Sequence, residues 1–183
     1  MSAQGHHLDG RGPLILDTHE LGRRPGEMRH VTLGVPAPAD LGVAMMGVPE
    51  GTPLQLDLKL ESVVEGVLVT GVVNTQLAGQ CARCLTQITR PGHFEMTELY
   101  YYPGRDAEED AGFVENELID LEPAIRAAVV LDLPFSPVCR SDCAGLCPVC
   151  GANLNDHPDH RHREEIDPRW AGLTGIVDTD EHR

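Results

Sequence analysis

Six cysteines and a late run of histidines are the residues in this sequence best equipped for chemistry. Cys81 and Cys84 frame CARC, and Cys147 and Cys150 frame CPVC. Cys139 and Cys143 precede the second pair, and His157, His160 and His162 follow it. A two-residue spacer lets two sulfurs reach one tetrahedral ion at about 2.3 Å each. Gly151, directly after the second pair, is free to take a positive φ and let the turn close. Pro148 stiffens the same turn and lowers the entropy lost on binding. The spacings therefore point to one or two Zn2+ ions. Two four-coordinate sites would use Cys81, Cys84, Cys139 and Cys143 for one ion, and Cys147, Cys150 and two of the three histidines for the other. A single ribbon site from Cys81, Cys84, Cys147 and Cys150 satisfies the same spacings.

Other chemistries fit less well. CPVC has the spacing of a redox dithiol, but such pairs open a helix that lowers the thiolate pKa, and no helical periodicity follows here. A catalytic zinc needs an open position and a base; Glu164 and Glu165 are available in sequence, with nothing to place them. The chain has no phosphate loop, GxSxG or HExxH, and no enzymatic activity is expected.

The elements that must carry these ligands are mostly strands. In LQLDLKL, Leu54, Leu56, Leu58 and Leu60 alternate with Gln55, Asp57 and Lys59, a strand with one buried face. GVLVTGVVNTQL supplies a second strand after a turn at Glu65-Gly66. A third is expected from Leu85 through Tyr101, broken near Arg90-Pro91-Gly92. CARC then sits at a hairpin tip. VPAPADLGVAMMGVPEGTP reads as a loop. IDLEPAIRAAVVLDLP reads as a helix, with Asp120 as N-cap, Pro123 in the first turn and Pro134 at the end. The expected fold is α+β: an antiparallel meander, open or barrel-like, one main helix, and a cysteine-rich, zinc-ribbon-like module. The expected divisions are a mostly mobile N-terminal tail at 1–27 with a short strand at Leu14 to Asp17, a sheet-and-helix body at 28–135 with an acidic loop at 106–117, a Cys/His zinc module at 136–170, and a C-terminal tail at 171–183. Trp170 is expected to pack back on the sheet or the knuckle.

Charge narrows the partners. The chain of 183 residues carries a formal net charge of −15. Asp106, Glu108, Glu109, Asp110, Glu115, Glu117, Asp120 and Glu122 are concentrated in one stretch without a Lys or Arg. Such a chain is a poor ligand for a phosphate backbone and a good one for a basic protein. No apolar run is long enough to span a membrane, and the first residues lack the pattern of a secretory signal. The expected compartment is the cytoplasm, where clustered thiols are more often metal ligands than disulfides.

The order CARCL, an acidic stretch, LDLPFSPVC, CAGLCPVCGANLN and EEIDPRWAGL resembles the YceD family from about Val31 to Leu173. The resemblance implies a part in the synthesis, processing or stability of large-subunit ribosomal RNA. It also implies a gene beside that of a small basic large-subunit ribosomal protein. Many members of the family carry a Cys-x-Cys where this chain has HPDHRH. His160 and His162 stand at the matching spacing, and imidazole can replace thiolate at zinc. The ligand set this implies is Cys81, Cys84, Cys139, Cys143, Cys147, Cys150, His160 and His162. Resemblance and charge together point to a basic large-subunit ribosomal protein, or a pre-large-subunit particle, as the partner, with rRNA reached indirectly. The alternative is direct RNA contact through a knuckle, using Arg83 and Arg169 with Arg140, Arg161 and Arg163 around them.

Overall fold

The computed structural model describes residues 12–105, 107, 111–162 and 169. The alternating leucines set the frame. Strand β5 (Pro53–Ser62) buries Leu54, Leu56, Leu58 and Leu60 completely, because successive side chains point to opposite faces. It pairs antiparallel with β2 (Met28–Pro36) on one side and with β6 (Gly66–Gln80) on the other. Along its whole length β6 pairs with β7 (Gln87–Tyr101). A strand has two edges, so β5 and the short β4 (Met46–Val48) share the other edge of β6. Beyond β4 lies β3 (Leu41–Val43). Among the described residues these six strands form an open sheet, not a closed barrel.

One face of the sheet is covered and one is wet. Val67, Val69, Val73, Phe94, Met96 and Tyr100 extend the leucine layer across β6 and β7. Helix α1 (Glu122–Asp132) closes over it with Ile125 and Val129, flanked by Leu121 and Leu133. The N-cap is Leu121 rather than the expected Asp120, which sits one position earlier and accepts from the Glu122 N–H through Oδ1 at 2.9 Å. The Tyr100 hydroxyl donates to the Asp120 carbonyl at 2.8 Å and ties the helix start to β7. Among the described residues the fold is thus α+β, mostly antiparallel sheet with one α-helix.

Four expectations need correction. Part of the segment 1–27, expected to be a mostly mobile tail, is built into the core. Strand β1 (Ile15–Asp17) pairs with β8 (Leu118–Asp120), and Leu14, Leu16 and Leu21 are buried. The short strand is legible in the sequence at Leu14 to Asp17, but its partner, about a hundred residues away, is not. Residues 1–11 lie outside the described set. The proline-rich stretch after β2 is not all loop, since it holds the β3–β4 hairpin. Strand β7 is unbroken at Pro91, which pairs with Gln76. It has β6 as its strand partner and lies at the sheet's edge, where a missing N–H is tolerated. The acidic loop is only partly loop. Val114 is buried, and Glu115 to Leu118 close a tight turn, with Asn116 and Glu117 at φ 51 and 65. Asp106 and residues 108–110 lie outside the described set.

Candidate metal centre

The first cysteine pair sits where β6 turns into β7. The Cys81 N–H donates to the Thr86 carbonyl and the Leu85 N–H returns to the Cys81 carbonyl, both at 2.9 Å. This closes a one-turn knuckle with Leu85 at φ 59. The other two ligands arrive on the segment after α1. Pro134 ends the helix, and the Ala82 N–H donates to the Pro137 carbonyl at 2.7 Å, laying the incoming chain against the knuckle. Cys81 Sγ then lies 3.7 Å from Cys143 Sγ, and Cys84 Sγ lies 3.6 Å from Cys139 Sγ. All four sulfurs are within 4.8 Å of one another. Disulfides would hold sulfurs about 2.05 Å apart. Tetrahedral bonds of about 2.3 Å place sulfurs about 3.8 Å apart, so these separations are those of a four-thiolate metal site. Ile88 and Leu146 pack against it.

The electrostatics agree with that reading. Burial pushes the Cys81 thiol up, but the N–H groups of Cys84, Cys139 and Arg83 directed at its sulfur outweigh this and bring it down to about 6. Cys139 is exposed as a residue but turns its sulfur into the cluster. Burial there, then the sulfurs of Cys84, Cys143 and Cys81, push its thiol up to about 12. Four thiols this close cannot ionise together without a cation among them.

The second pair forms a knuckle of the same kind. The Gly151 N–H donates to the Cys147 carbonyl and the Cys147 N–H to the Ala152 carbonyl, both at 2.8 Å. Gly151 has φ 74, the same left-handed corner that Leu85 occupies in the first knuckle. The N–H groups of Cys150 and Val149 lower the Cys147 thiol. Cys150 Sγ lies 3.2 Å from both His160 Nε2 and His162 Nε2, and the two imidazole nitrogens are 2.9 Å apart. Cys147, Cys150, His160 and His162 form the second set of four. His157 is not a member of it. Eight of the nine candidate ligands thus divide into two local groups, and the ribbon set that would combine Cys81 and Cys84 with Cys147 and Cys150 is not the one that converges.

The remaining candidates fall as follows. Arg83 Nη1 donates to the Cys143 carbonyl at 3.0 Å, so its guanidinium fastens the first site together. Arg140 is held by Asn155 Oδ1 at 2.7 Å and by Asp142 at 3.3 Å. Arg161 and Arg169 are exposed. Arg163, Glu164, Glu165 and Trp170 lie outside the described residues. Sequence reasoning missed Asn155. Its Nδ2 donates to Cys143 Sγ at 3.4 Å, while its Oδ1 accepts from the Ala144 N–H at 2.9 Å. Only its place between a knuckle and a histidine run could have flagged it. Among the described residues no helix is long and apolar enough to cross a membrane.

Comparison with known proteins meets this geometry at the cysteines. A family described as "Large ribosomal RNA subunit accumulation protein YceD" matches residues 69–176. An uncharacterised protein of Mycobacterium tuberculosis is 49% identical over 170 residues, covering 90% of this chain and 82% of that protein. An Arabidopsis thaliana protein named large ribosomal RNA subunit accumulation protein YCED homolog 1, chloroplastic, is 26% identical over 162 residues, covering 70% of this chain and 50% of its own length. The YlbN protein of Bacillus subtilis is 25% identical over 104 residues, covering 55% of this chain and 60% of that protein. No solved structure matches the chain. The family match begins on β6, just before the first knuckle, and runs past the second. Because it takes in the hairpin, the helix and every ligand of both clusters, the chain belongs to the YceD family.

Proposed function

We propose that this chain is a non-catalytic, zinc-organised factor for accumulation of large-subunit ribosomal RNA, acting through a basic large-subunit ribosomal protein or a pre-large-subunit particle that displays one. The observation that carries the proposal is the family match over residues 69–176, whose description names that process. The charge supports the protein partner. With −15 on the chain, a basic surface is attracted and a phosphate backbone repelled. The acidity also extends beyond the 106–122 stretch. Asp57 and Glu95 flank Val72 in one row on the wet face of the sheet, and both are exposed. Such complementarity sets encounter rate and selectivity more than final affinity.

Zinc supplies cross-links here, and its binding energy becomes folding energy. Each cluster offers four protein ligands, which leaves no position for a substrate, and this favours a structural role over hydrolysis. Each Cys-x-x-Cys pair also shares its cluster with two further ligands, which argues against a free redox dithiol. Direct RNA contact is the weaker alternative, because Arg83 and Arg140 are already engaged within the module.

The test is a sucrose-gradient profile of cells depleted of this protein, with both subunit rRNAs quantified. A selective fall in large subunits and their rRNA is expected; unchanged subunit ratios would overturn the proposal. Co-purification at low salt should recover a basic large-subunit protein and lose it as salt rises, since exposed charges are screened within about 8 Å at physiological ionic strength.

A further inference from the structure

The two clusters are built to different standards. Three of the four cysteines in the first are buried, and its ligands come from elements 55 to 62 residues apart. It holds the β6–β7 hairpin tip against the chain that follows α1. Its sulfurs are also supported from outside, by N–H groups on Cys81 and by Asn155 Nδ2 on Cys143. In the second cluster Cys150 and His162 are exposed, and all four ligands lie within one short stretch of chain. Among the described residues, neither His160 nor His162 has a hydrogen bond at Nδ1. A ligating imidazole normally donates its other N–H to an acceptor, and losing that partner typically costs about 10- to 100-fold in metal affinity. The loop of the second site is nonetheless docked on the first. Asn155 lies between Cys150 and His160 and reaches the Cys143 sulfur, while the Leu154 N–H donates to the Gly145 carbonyl at 2.9 Å.

We infer that the second cluster is an exchangeable metal site, that the first is a permanent clamp, and that Asn155 is the positioning residue joining them. The first site assembles around the hairpin and holds the 143–145 strap in place. That strap receives the loop of the second site, which can then gain and lose its ion without disturbing the sheet. The chain thus carries one zinc as part of its fold and a second that responds to free zinc. This rests on the zinc reading above and not on the ribosomal one.

The experiment uses the full chain loaded with zinc under reducing conditions and challenged with an excess of the chromogenic chelator 4-(2-pyridylazo)resorcinol. Two equivalents should leave in two phases, with rates at least about tenfold apart. His162→Ala should bind one equivalent, keep only the slow phase, and leave the far-ultraviolet circular dichroism unchanged. Asn155→Asp keeps the oxygen that accepts from Ala144 and removes the N–H donated to sulfur. It should speed the slow phase by about 10- to 100-fold. In the cobalt-loaded protein it should also shift the sulfur-to-cobalt charge-transfer band of the first site to lower energy. Release of both equivalents in one phase would overturn the inference. So would loss of the slow phase in His162→Ala, or fewer than two equivalents on the parent chain. An Asn155→Asp protein with unchanged slow rate and cobalt bands would overturn the joining role. No ribosomal component enters the assay, so failure here is separate from failure of the rRNA reading.

Discussion

At the scale of single residues, the two knuckles differ at one corner. Gly151 takes φ 74 at no steric cost, whereas Leu85 takes φ 59 with a side chain that is 53% exposed. A left-handed non-glycine residue costs about 1–2 kcal/mol, and glycine's larger unfolded-state entropy returns part of any relief. Leu85→Gly should therefore raise stability by about 0.5–1 kcal/mol, read as a higher denaturation midpoint at constant zinc. His19 offers a pH test. Its Nδ1 lies 2.8 Å from Glu117 Oε2, and that hydrogen bond, then the charges of Glu117, Asp17 and Glu20, raise its pKa above 6.5. A raised histidine stabilises the fold fully below its unfolded pKa of about 6.5 and loses that contribution as pH rises through the folded value. In an NMR titration Glu117→Gln should bring the His19 midpoint down toward 6.5. If Glu117→Gln leaves the midpoint where it was, the His19–Glu117 pair has no standing in solution.

At the scale of elements, β6 is the central strand of the sheet, and its hairpin with β7 is the arm that carries the first site. Its fit against β5 depends on Gly71, which lies between Leu58 and Met96 in the register. A Cβ there would collide with the Asp57 carbonyl oxygen. Backbone cannot move aside as a side chain can, so Gly71→Ala should cost about 1–3 kcal/mol, measured by urea denaturation. A loss under about 0.5 kcal/mol would mean that the strands separate more easily than this contact implies. The sheet's edges are guarded. β7 carries Pro91 and the half-buried, inward-facing Glu98, whose carboxyl burial raises above its usual range. β2 carries a half-buried Arg29 that pairs with Glu20 at 3.0 Å. Prolines and inward charges at edges discourage pairing with another sheet.

For the molecule as a whole, the sheet and the metal module rest on different interactions. The sheet has its own core of leucines, valines and aromatic rings under α1. Residues 137–162 contribute few buried apolar side chains and are held by knuckle hydrogen bonds and ligand convergence. Chelation of all metal should therefore raise amide hydrogen exchange across 137–162 and at the hairpin tip around Cys81 to Cys84, while β5 and the middle of β6 stay protected. Cys84→Ser, which removes a ligand of the first site, should reproduce much of that pattern in zinc-containing buffer. Global loss of protection in either case would show that the sheet depends on the clamp for its stability.

The sequence by itself determined the elements whose signal is local. Four alternating leucines specify a half-buried strand, the turn before GVLVTGVV starts the next one, and CARC and CPVCG close knuckles through their own backbone. The helix was legible from its apolar spacing, from Asp120 and from the prolines at its two ends. Tertiary structure alone decided which candidate ligands converge. Spacing allowed Cys81 and Cys84 to meet either knuckle partner, and the choice was made by where α1 ends and by the contact of Ala82 with Pro137. It also decided that Arg83 serves the first site, that Asn155 supports a sulfur twelve residues away, and that Ile15–Asp17 pairs with Leu118–Asp120. Short-range patterns are fixed by chain geometry, which repeats every two or 3.6 residues. Contacts between distant segments depend on how whole elements pack, and no period in the sequence encodes that.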